Sequence, residues 1–237
     1  MFADAIEKIS RSIFPIFYSY EKDGAPVLGV SGTGFFVDES GLFLTVDHIM
    51  SCAPPGSTYY SYGQVPDSLS EPIEVECIGR DSAHDLFLGR IPHDHLVTPV
   101  SLSARAPRPG DAVCLSGYPM AVLSISDRCG FVGNVRRYWQ PAFVIDAAQA
   151  IIEGRTYDGY IVDQPCFSGM SGGPVFDVAG SVRGMGVATL TRTIPDVDAE
   201  PCVVRNGIVV EGADLRAFVD KHRPEWLGAG SATRLGA

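Results

Sequence analysis

The chain has 237 residues, of which 46% are hydrophobic and 19% are charged, a composition that supports a globular protein with a buried core. It carries 18 basic and 28 acidic residues, a formal net charge of -10, and therefore lacks the cationic surface that nucleic-acid phosphates require. The amino terminus has neither the basic start nor the apolar core of a secretory signal, and no apolar stretch could span a membrane. We therefore expect a cytoplasmic protein that binds neither nucleic acid nor membranes.

The first predicted element is a helix. Ile6, Ile9 and Ile13 recur at helical spacing, which predicts a short amphipathic helix over residues 3–12. Pro15 follows closely, and the residue before a proline disfavours helical backbone angles. We expect the helix to end before Pro15.

After this helix the pattern is that of β-strands. Ile73, Val75 and Cys77 alternate with two glutamates, the period of two expected from a strand with one buried face. The polar residues 38–41 predict a hairpin turn. The other candidate strands are 27–37, 42–47, 58–62, 85–91, 112–117, 131–138, 142–148, 160–163, 174–177, 182–190 and 202–210.

The segment Ser101–Gly110 is the best candidate for a linker, because it contains two prolines among small polar residues. It predicts two halves of similar size. The predicted units are residues 1–105, residues 106–227 with a closing helix over 214–223 that Pro224 stops, and a flexible tail of 228–237.

The motif with the clearest chemical content is Gly169–Pro174, in which Ser171 stands among three glycines. Glycine frees the backbone amides of such a turn to point at a ligand, so the motif favours a nucleophilic serine with its own oxyanion hole. An ordinary glycine turn between strands is the alternative. The Gly-x-Ser-x-Gly elbow of α/β-hydrolases is a second alternative, but it must open into a helix, and Val175-Phe176 favours a strand.

A serine hydroxyl needs a neighbouring base, and imidazole has the suitable pKa range. His48 ends the apolar run 42–47 and is our candidate base. Asp85, at the start of another apolar run, is the candidate to accept the second imidazole N–H. Asp47 and Asp81 are the alternatives; Asp47 is disfavoured because neighbouring residues of a strand point to opposite faces.

The chain order His48, Asp85, Ser171 is the order found in the chymotrypsin double barrel, and not that of subtilisin or the α/β-hydrolases. With these motifs the chain resembles the bacterial trypsin-like serine proteases, above all the protease domain of the HtrA family. The segments that carry the resemblance are 32–48, 81–91 and 169–174.

This resemblance implies an all-β fold of two six-stranded antiparallel β-barrels, with a short N-terminal helix and a C-terminal helix. It implies a serine endopeptidase that works through an acyl-enzyme, acting on a protein or peptide substrate. Ser171 would attack, His48 would carry the proton, Asp85 would orient His48, and the Gly169 and Ser171 amides would hold the oxyanion. Because little sequence follows the second half, we expect no appended peptide-binding domain of the kind that HtrA enzymes usually carry.

By the same resemblance, the primary specificity pocket is lined by Pro165, Thr189, Leu190 and Thr191. Pro165 stands six residues before Ser171, where relatives that cut after arginine or lysine carry an aspartate. A basic substrate side chain would find no counter-charge there, which favours cleavage after small or aliphatic residues.

Met170 occupies the position where secreted trypsin-like zymogens have an aspartate that pairs with the new amino terminus. We therefore expect the oxyanion loop to be set by packing or by an activating protein partner. Trimming the first 15 residues is not expected to raise the rate.

No metal or organic cofactor is implied. The six cysteines are interpreted as reduced thiols, with a redox switch between Cys52 and Cys166 as the alternative. The second function class is a pseudoprotease or peptide-binding module that keeps the barrels and is silent until a partner orders its oxyanion loop.

Overall fold

The computed structural model of the chain describes residues 1–61, 73–92, 98–126, 130–195 and 202–231, with side chains for all of these except 122–126, 130–133, 148 and 224–231. Neither α-helix among these residues combines the length and apolar character needed to cross a membrane. The helical segments are α1 (Ala3–Ile9), the 3₁₀ turns Ser10–Ser12 and His48–Met50, and α2 (Gly212–Ser231).

The described residues form sixteen strands. In chain order they are β1 (Ile13–Lys22), β2 (Ala25–Phe36), β3 (Leu42–Val46), β4 (Thr58–Ser61), β5 (Ile73–Glu74), β6 (Glu76–Asp81), β7 (Leu86–Arg90), β8 (Ser101–Leu102), β9 (Ala112–Gly117), β10 (Val122–Ser126), β11 (Gly130–Asn134), β12 (Tyr138–Ile152), β13 (Arg155–Val162), β14 (Pro174–Phe176), β15 (Ser181–Ile194) and β16 (Cys202–Glu211).

The first barrel contains β1 to β7 in the order β5-β4-β1-β2-β3-β7-β6. The two strands at the ends of this order, β5 and β6, are separated along the chain only by Val75. They act as one interrupted strand that closes the sheet, which gives six antiparallel strands. Inside it Phe14 packs on Phe36 and Phe43, with ring centroids 4.5 and 5.2 Å apart.

The second barrel has the order β14-β9-β12-β13-β16-β15, and a further pairing of β14 with β15 closes it. It is also six-stranded and antiparallel. The short β8 adds to β15 in parallel, and β10 and β11 form a separate hairpin. The all-β, chymotrypsin-like fold class predicted from the sequence is confirmed.

Alternation along β9 shows how the second barrel is packed. Val113 and Leu115 point into the barrel interior, whereas Cys114, between them, joins the larger apolar cluster that extends to the first barrel and α1. Helix α1 covers this outer face: Phe2 meets Phe176 edge-on at 6.0 Å, and Lys8 donates to the Ala179 carbonyl at 3.1 Å. The N-terminal segment therefore precedes one barrel in the chain and docks on the other.

The predicted N-terminal helix is present as α1 and its 3₁₀ turn, but the strand that follows was not among the predicted ones. Strand β1 starts at Ile13 and runs through Pro15, although proline cannot donate to a ladder. Its pairing with β4 covers only Phe17, Tyr18 and Ser19. Pro15 thus lies beyond the stretch of β1 that is paired with β4, where a missing donor is tolerated.

Two predicted features at the carboxyl end are wrong. The closing helix does not stop at Pro224, because α2 extends to Ser231. A proline removes one helical hydrogen bond, but its ring already has a helical φ, so a helix can continue past it. Residues 228–231 therefore belong to the helix and not to a tail, while residues 232–237 lie outside the described residues.

The strand predicted at 73–77 and the linker also differ in detail. The strand is interrupted at Val75, but the alternation of burial continues to Glu76. It is lost at Cys77, which is exposed where the pairing of β6 with β7 shifts register between Cys77 and Gly79. Ser101 already pairs with Ser181, and Ser103 donates its N–H to the Val182 carbonyl at 2.9 Å. The chain therefore joins the second sheet before the predicted boundary at residue 105.

Candidate active site

Asp85 lies in the turn between β6 and β7 and is fully buried. Its φ of 58° is left-handed, a conformation that aspartate tolerates better than most residues. Its carboxylate accepts a hydrogen bond from the backbone N–H of His48 at 2.8 Å, and its Oδ2 lies 2.7 Å from Nδ1 of the same residue. Its carbonyl accepts the Asp47 N–H at 3.1 Å. The turn is therefore tied to the end of β3 at three points.

His48 begins the 3₁₀ turn that follows β3, and its imidazole is 29% exposed, so part of the ring is accessible. The two alternative aspartates have other partners. Asp47 is buried and its carboxylate pairs with Arg80, while Asp81 pairs with His84 at 2.9 Å. Asp85 is the aspartate whose carboxylate contacts the His48 ring.

The segment Gly169–Pro174 forms the predicted turn before β14. Gly169 and Gly172 have φ of 92° and 83°, which only glycine adopts freely, and a Cβ at Gly172 would collide with the Thr45 hydroxyl. The carbonyl of Ser171 accepts the N–H of Thr33 from β2 at 3.0 Å. The serine is therefore seated directly against the first barrel.

The backbone of the first barrel brings Ser171 and the His48 turn to the same point. A Cβ at Gly32 would lie 2.6 Å from Ile49 Cδ1 and 2.9 Å from the Ser171 carbonyl oxygen. Within the described residues the Ser171 hydroxyl donates to the Val187 carbonyl at 3.3 Å rather than to His48. The two predicted reactants are neighbours whose side chains are not hydrogen-bonded.

The backbone amides of the oxyanion loop are in a defined arrangement. Among the described residues, the N–H groups of Gly169 and Ser171 donate to no other group, whereas the Met170 N–H between them donates to Phe167 at 2.8 Å. The Gly169 carbonyl accepts a hydrogen bond from the Thr33 hydroxyl at 2.7 Å, and that hydroxyl also accepts the Tyr118 N–H at 3.1 Å. Two donors therefore remain available to an anion.

Met170 and Cys166 lie in the apolar interior of the second barrel. Burial raises the pKa of the Cys166 thiol to about 12, although a contact with the Ser171 hydroxyl lowers it slightly. Cys52 is exposed and Cys166 buried, both are free thiols, and Cys129 lies outside the described residues. No group of three or more His, Cys, Asp or Glu in the described part of the chain is arranged to hold a metal ion.

The structure brings together only part of the predicted specificity pocket. The Thr189 hydroxyl donates to the Cys166 carbonyl at 2.6 Å, so β15 adjoins the segment of Pro165. Leu190 packs against the large apolar cluster, on the opposite face of β15 from Thr189 and Thr191, and Thr191 is exposed.

Three contacting residues were missed by the sequence reasoning. Tyr157 donates its phenol to Asp85 Oδ2 at 2.9 Å, the Arg155 guanidinium lies 3.6 Å from Asp85 Oδ1, and Thr33 holds the oxyanion loop. No local signal could have found Tyr157 or Arg155, because both come from the opposite barrel. Thr33 does lie in a segment that carried the family resemblance, but no sequence pattern predicts which group its hydroxyl binds.

Comparison with known proteins finds similar sequences and structures. The family model described as "Trypsin-like peptidase domain" matches residues 32–185. "Probable periplasmic serine endoprotease DegP-like" of Rhizobium meliloti is 29% identical over 159 residues, which cover 66% of this chain and 27% of that protein. Human "Serine protease HTRA3" is 28% identical over 230 residues, which cover 94% of this chain and 46% of that protein. The chain thus spans less than half the length of these relatives.

Solved structures give the same fold. The active form of the Rv3671c protease from M. tuberculosis superposes with a TM-score of 0.64 at 20% identity, covering 92% of this chain and 83% of that one. The inactive form of the same protease gives a TM-score of 0.61 at 20% identity, covering 92% of both chains. At this identity the likeness establishes the fold alone. Since the family model covers well over half of the sequence, the chain belongs to the trypsin-like peptidase domain family.

Proposed function

We propose that the protein is a serine endopeptidase that cleaves peptide bonds through an acyl-enzyme on Ser171. His48 takes the hydroxyl proton as Ser171 attacks the scissile carbonyl and gives it to the leaving amine. Asp85 holds the imidazole in the required tautomer and stabilises the imidazolium. The Gly169 and Ser171 amides stabilise the oxyanion, an interaction worth about 3 to 4 kcal/mol per donor at comparable sites.

The observation that carries this proposal is the contact between the buried Asp85 carboxylate and Nδ1 of His48, 2.7 Å apart. An aspartate in this position leaves the other ring nitrogen, Nε2, to act as the base. The unengaged amides of Gly169 and Ser171 support the second half of the mechanism.

One movement must precede catalysis. The Ser171 hydroxyl donates to the Val187 carbonyl at 3.3 Å, a long and therefore weak bond. Rotation about the Cα–Cβ bond of Ser171 turns the hydroxyl away from Val187 and towards His48. Catalytic hydrogen bonds are often formed only once substrate is bound, so substrate binding supplies a reason for the rotation.

The test is labelling by a fluorophosphonate together with hydrolysis of a denatured protein substrate. The parent should be labelled and should hydrolyse, and Ser171→Ala should lose the label and about 10⁶-fold of kcat. Ser57→Ala removes a hydroxyl outside the site, one that donates to the Pro54 carbonyl, and should behave as the parent. Activity of Ser171→Ala within tenfold of the parent would refute the assignment.

A silent or partner-activated protein is the second candidate. It is favoured by the position of the Ser171 hydroxyl, which contacts Val187 and Cys166 and not His48. A folded parent that neither takes the label nor hydrolyses would support this candidate. Labelling that appears only after a binding protein is added would identify the partner-activated form.

Cleavage after small or aliphatic residues is part of the proposal, supported by Pro165, which is uncharged and is predicted to line the pocket. The cytoplasmic location also remains a proposal, since the name of the Rhizobium meliloti relative describes a periplasmic protein. A library of fluorogenic peptides tests the first, and cell fractionation tests the second.

A further inference from the structure

Strand β13 of the second barrel reaches across to Asp85 of the first barrel. Tyr157 is 3% exposed, and its phenol donates to Asp85 Oδ2 at 2.9 Å. The residue before it, Thr156, donates its backbone N–H to the Ala83 carbonyl at 3.0 Å. Two hydrogen bonds therefore fasten β13 to the turn that presents the carboxylate.

These contacts fix the plane of the carboxylate. One oxygen, Oδ1, accepts the His48 backbone N–H at 2.8 Å, and the other, Oδ2, faces both the His48 ring and the Tyr157 phenol. Because Asp85 is fully buried, bulk water cannot replace a lost donor. Without the phenol, the oxygen that faces the imidazole would lose one of its two partners.

The phenol is well suited to this role. Burial together with the Asp85 charge raises the pKa of Tyr157, so the group stays a neutral donor in the neutral pH range. The Arg155 guanidinium, 3.6 Å from Oδ1, adds a positive charge on the other side of the carboxylate. Together these groups hold the carboxylate in one rotation.

We propose that Tyr157 is a positioning residue for hydrolysis: from the second barrel it holds the Asp85 carboxylate in the rotation that orients His48. The inference rests on the proposed function of His48 and Ser171. It adds that Asp85 and His48, both carried by the first barrel, are not correctly oriented until the second barrel supplies this phenol.

The test compares two tyrosine-to-phenylalanine variants of the same strand. Tyr157→Phe removes the donor to Asp85. Tyr160→Phe removes a buried hydroxyl that has no hydrogen-bond partner in the described part of the chain, and so controls for the loss of a phenol oxygen. We expect Tyr157→Phe to lower kcat about tenfold at unchanged KM, since a hydrogen bond to a charged group is of that order. Tyr160→Phe should stay within twofold of the parent.

Counting active sites and NMR spectroscopy distinguish a positioning role of Tyr157 from a purely structural one. Fluorophosphonate titration gives kcat per competent site, so a loss of folded protein does not mimic the effect. The low-field proton signal of the His48–Asp85 hydrogen bond should move in Tyr157→Phe and stay in place in Tyr160→Phe. An unmoved signal, or a kcat per site equal in the two variants, overturns the inference.

A double-mutant cycle with Asp85→Asn completes the design. In that background Tyr157→Phe should change kcat less than twofold, because the carboxylate it positions is gone. If the parent shows no Ser171-dependent hydrolysis, the proposed function fails. The same double-mutant cycle is then measured in unfolding free energy, which tests the contact between Tyr157 and Asp85. Absence of coupling in that measurement overturns the inference about Tyr157. If the parent hydrolyses and Tyr157→Phe equals Tyr160→Phe, this inference fails alone.

Discussion

Replacing Thr33 by valine removes one hydroxyl and keeps the shape of the side chain. Thr33 is fully buried, donates to the Gly169 carbonyl at 2.7 Å and accepts the Tyr118 N–H at 3.1 Å. Valine can make neither bond, so one backbone acceptor and one backbone donor lose their partner. At about 1 to 3 kcal/mol for each of the two unsatisfied buried groups, the variant should lose roughly 2 to 6 kcal/mol of unfolding free energy.

The same change should lower activity through the oxyanion loop. The Gly169 carbonyl belongs to the peptide between the two amides assigned to the oxyanion, so releasing it frees Gly169 to rotate. Complete loss of one donor costs about 10² to 10³ in kcat at comparable sites. A loop that is loosened but not removed should lose roughly tenfold to a hundredfold, with KM little changed.

The assay is steady-state hydrolysis with active-site titration, alongside urea unfolding of the same samples. Thr33→Ser is the matched control, since it keeps the hydroxyl and loses only a methyl group, and it should recover most of the activity. The reasoning would be wrong if Thr33→Val kept kcat within twofold of the parent, or if Thr33→Ser were as impaired as Thr33→Val.

Three further predictions concern specificity, pH and the N-terminal segment. Pro165→Asp should shift the preferred residue before the cleaved bond towards arginine or lysine by about tenfold, measured with fluorogenic peptides; an unchanged preference would place the pocket elsewhere. Because burial raises the pKa of Cys166 from 9.0 to about 12, the folded state holds that proton more tightly, and this thiol's contribution to the unfolding free energy should fall by about 1 kcal/mol between pH 8 and 10. In a comparison of urea unfolding at the two pH values, Cys166→Ala should lose correspondingly less. Ile9 is 2% exposed and is part of the core, so Ile9→Ala should cost about 2 to 5 kcal/mol in unfolding free energy. Deletion of residues 1–9 should lower the melting temperature without raising kcat.

The sequence was sufficient for those features that depend on neighbouring residues. Apolar runs bounded by turn residues predicted most of the strands, including β9 with its bounds 112–117. The glycines of Gly169–Pro174 predicted a turn before a strand, because their backbone requirements are local. The helix at the N-terminus followed from helical spacing alone.

Features that depend on tertiary pairing were not predictable in this way. Strand β1 is rich in Ile, Phe and Tyr, which favour a strand, but it contains Pro15, which cannot donate to a ladder. That the strand nevertheless runs through Pro15 depends on its pairing with β2 and β4. The contact from Tyr157 to Asp85 joins residues 72 positions apart, and the one from Thr33 to Gly169 joins residues 136 positions apart. Neither contact leaves a pattern in the sequence around its donor.

The two missed hydroxyls cross between the barrels in opposite directions. Thr33 extends from the first barrel to the oxyanion loop of the second, and Tyr157 extends from the second barrel to the carboxylate of the first. Each barrel has buried side chains of its own, so either could stay folded while the two shift by a fraction of an ångström. Hydrogen bonds of 2.7 and 2.9 Å do not tolerate much displacement. The orientation of the base and the shape of the oxyanion loop therefore depend on the same inter-barrel register, and a ligand or partner that changed this register would alter both at once.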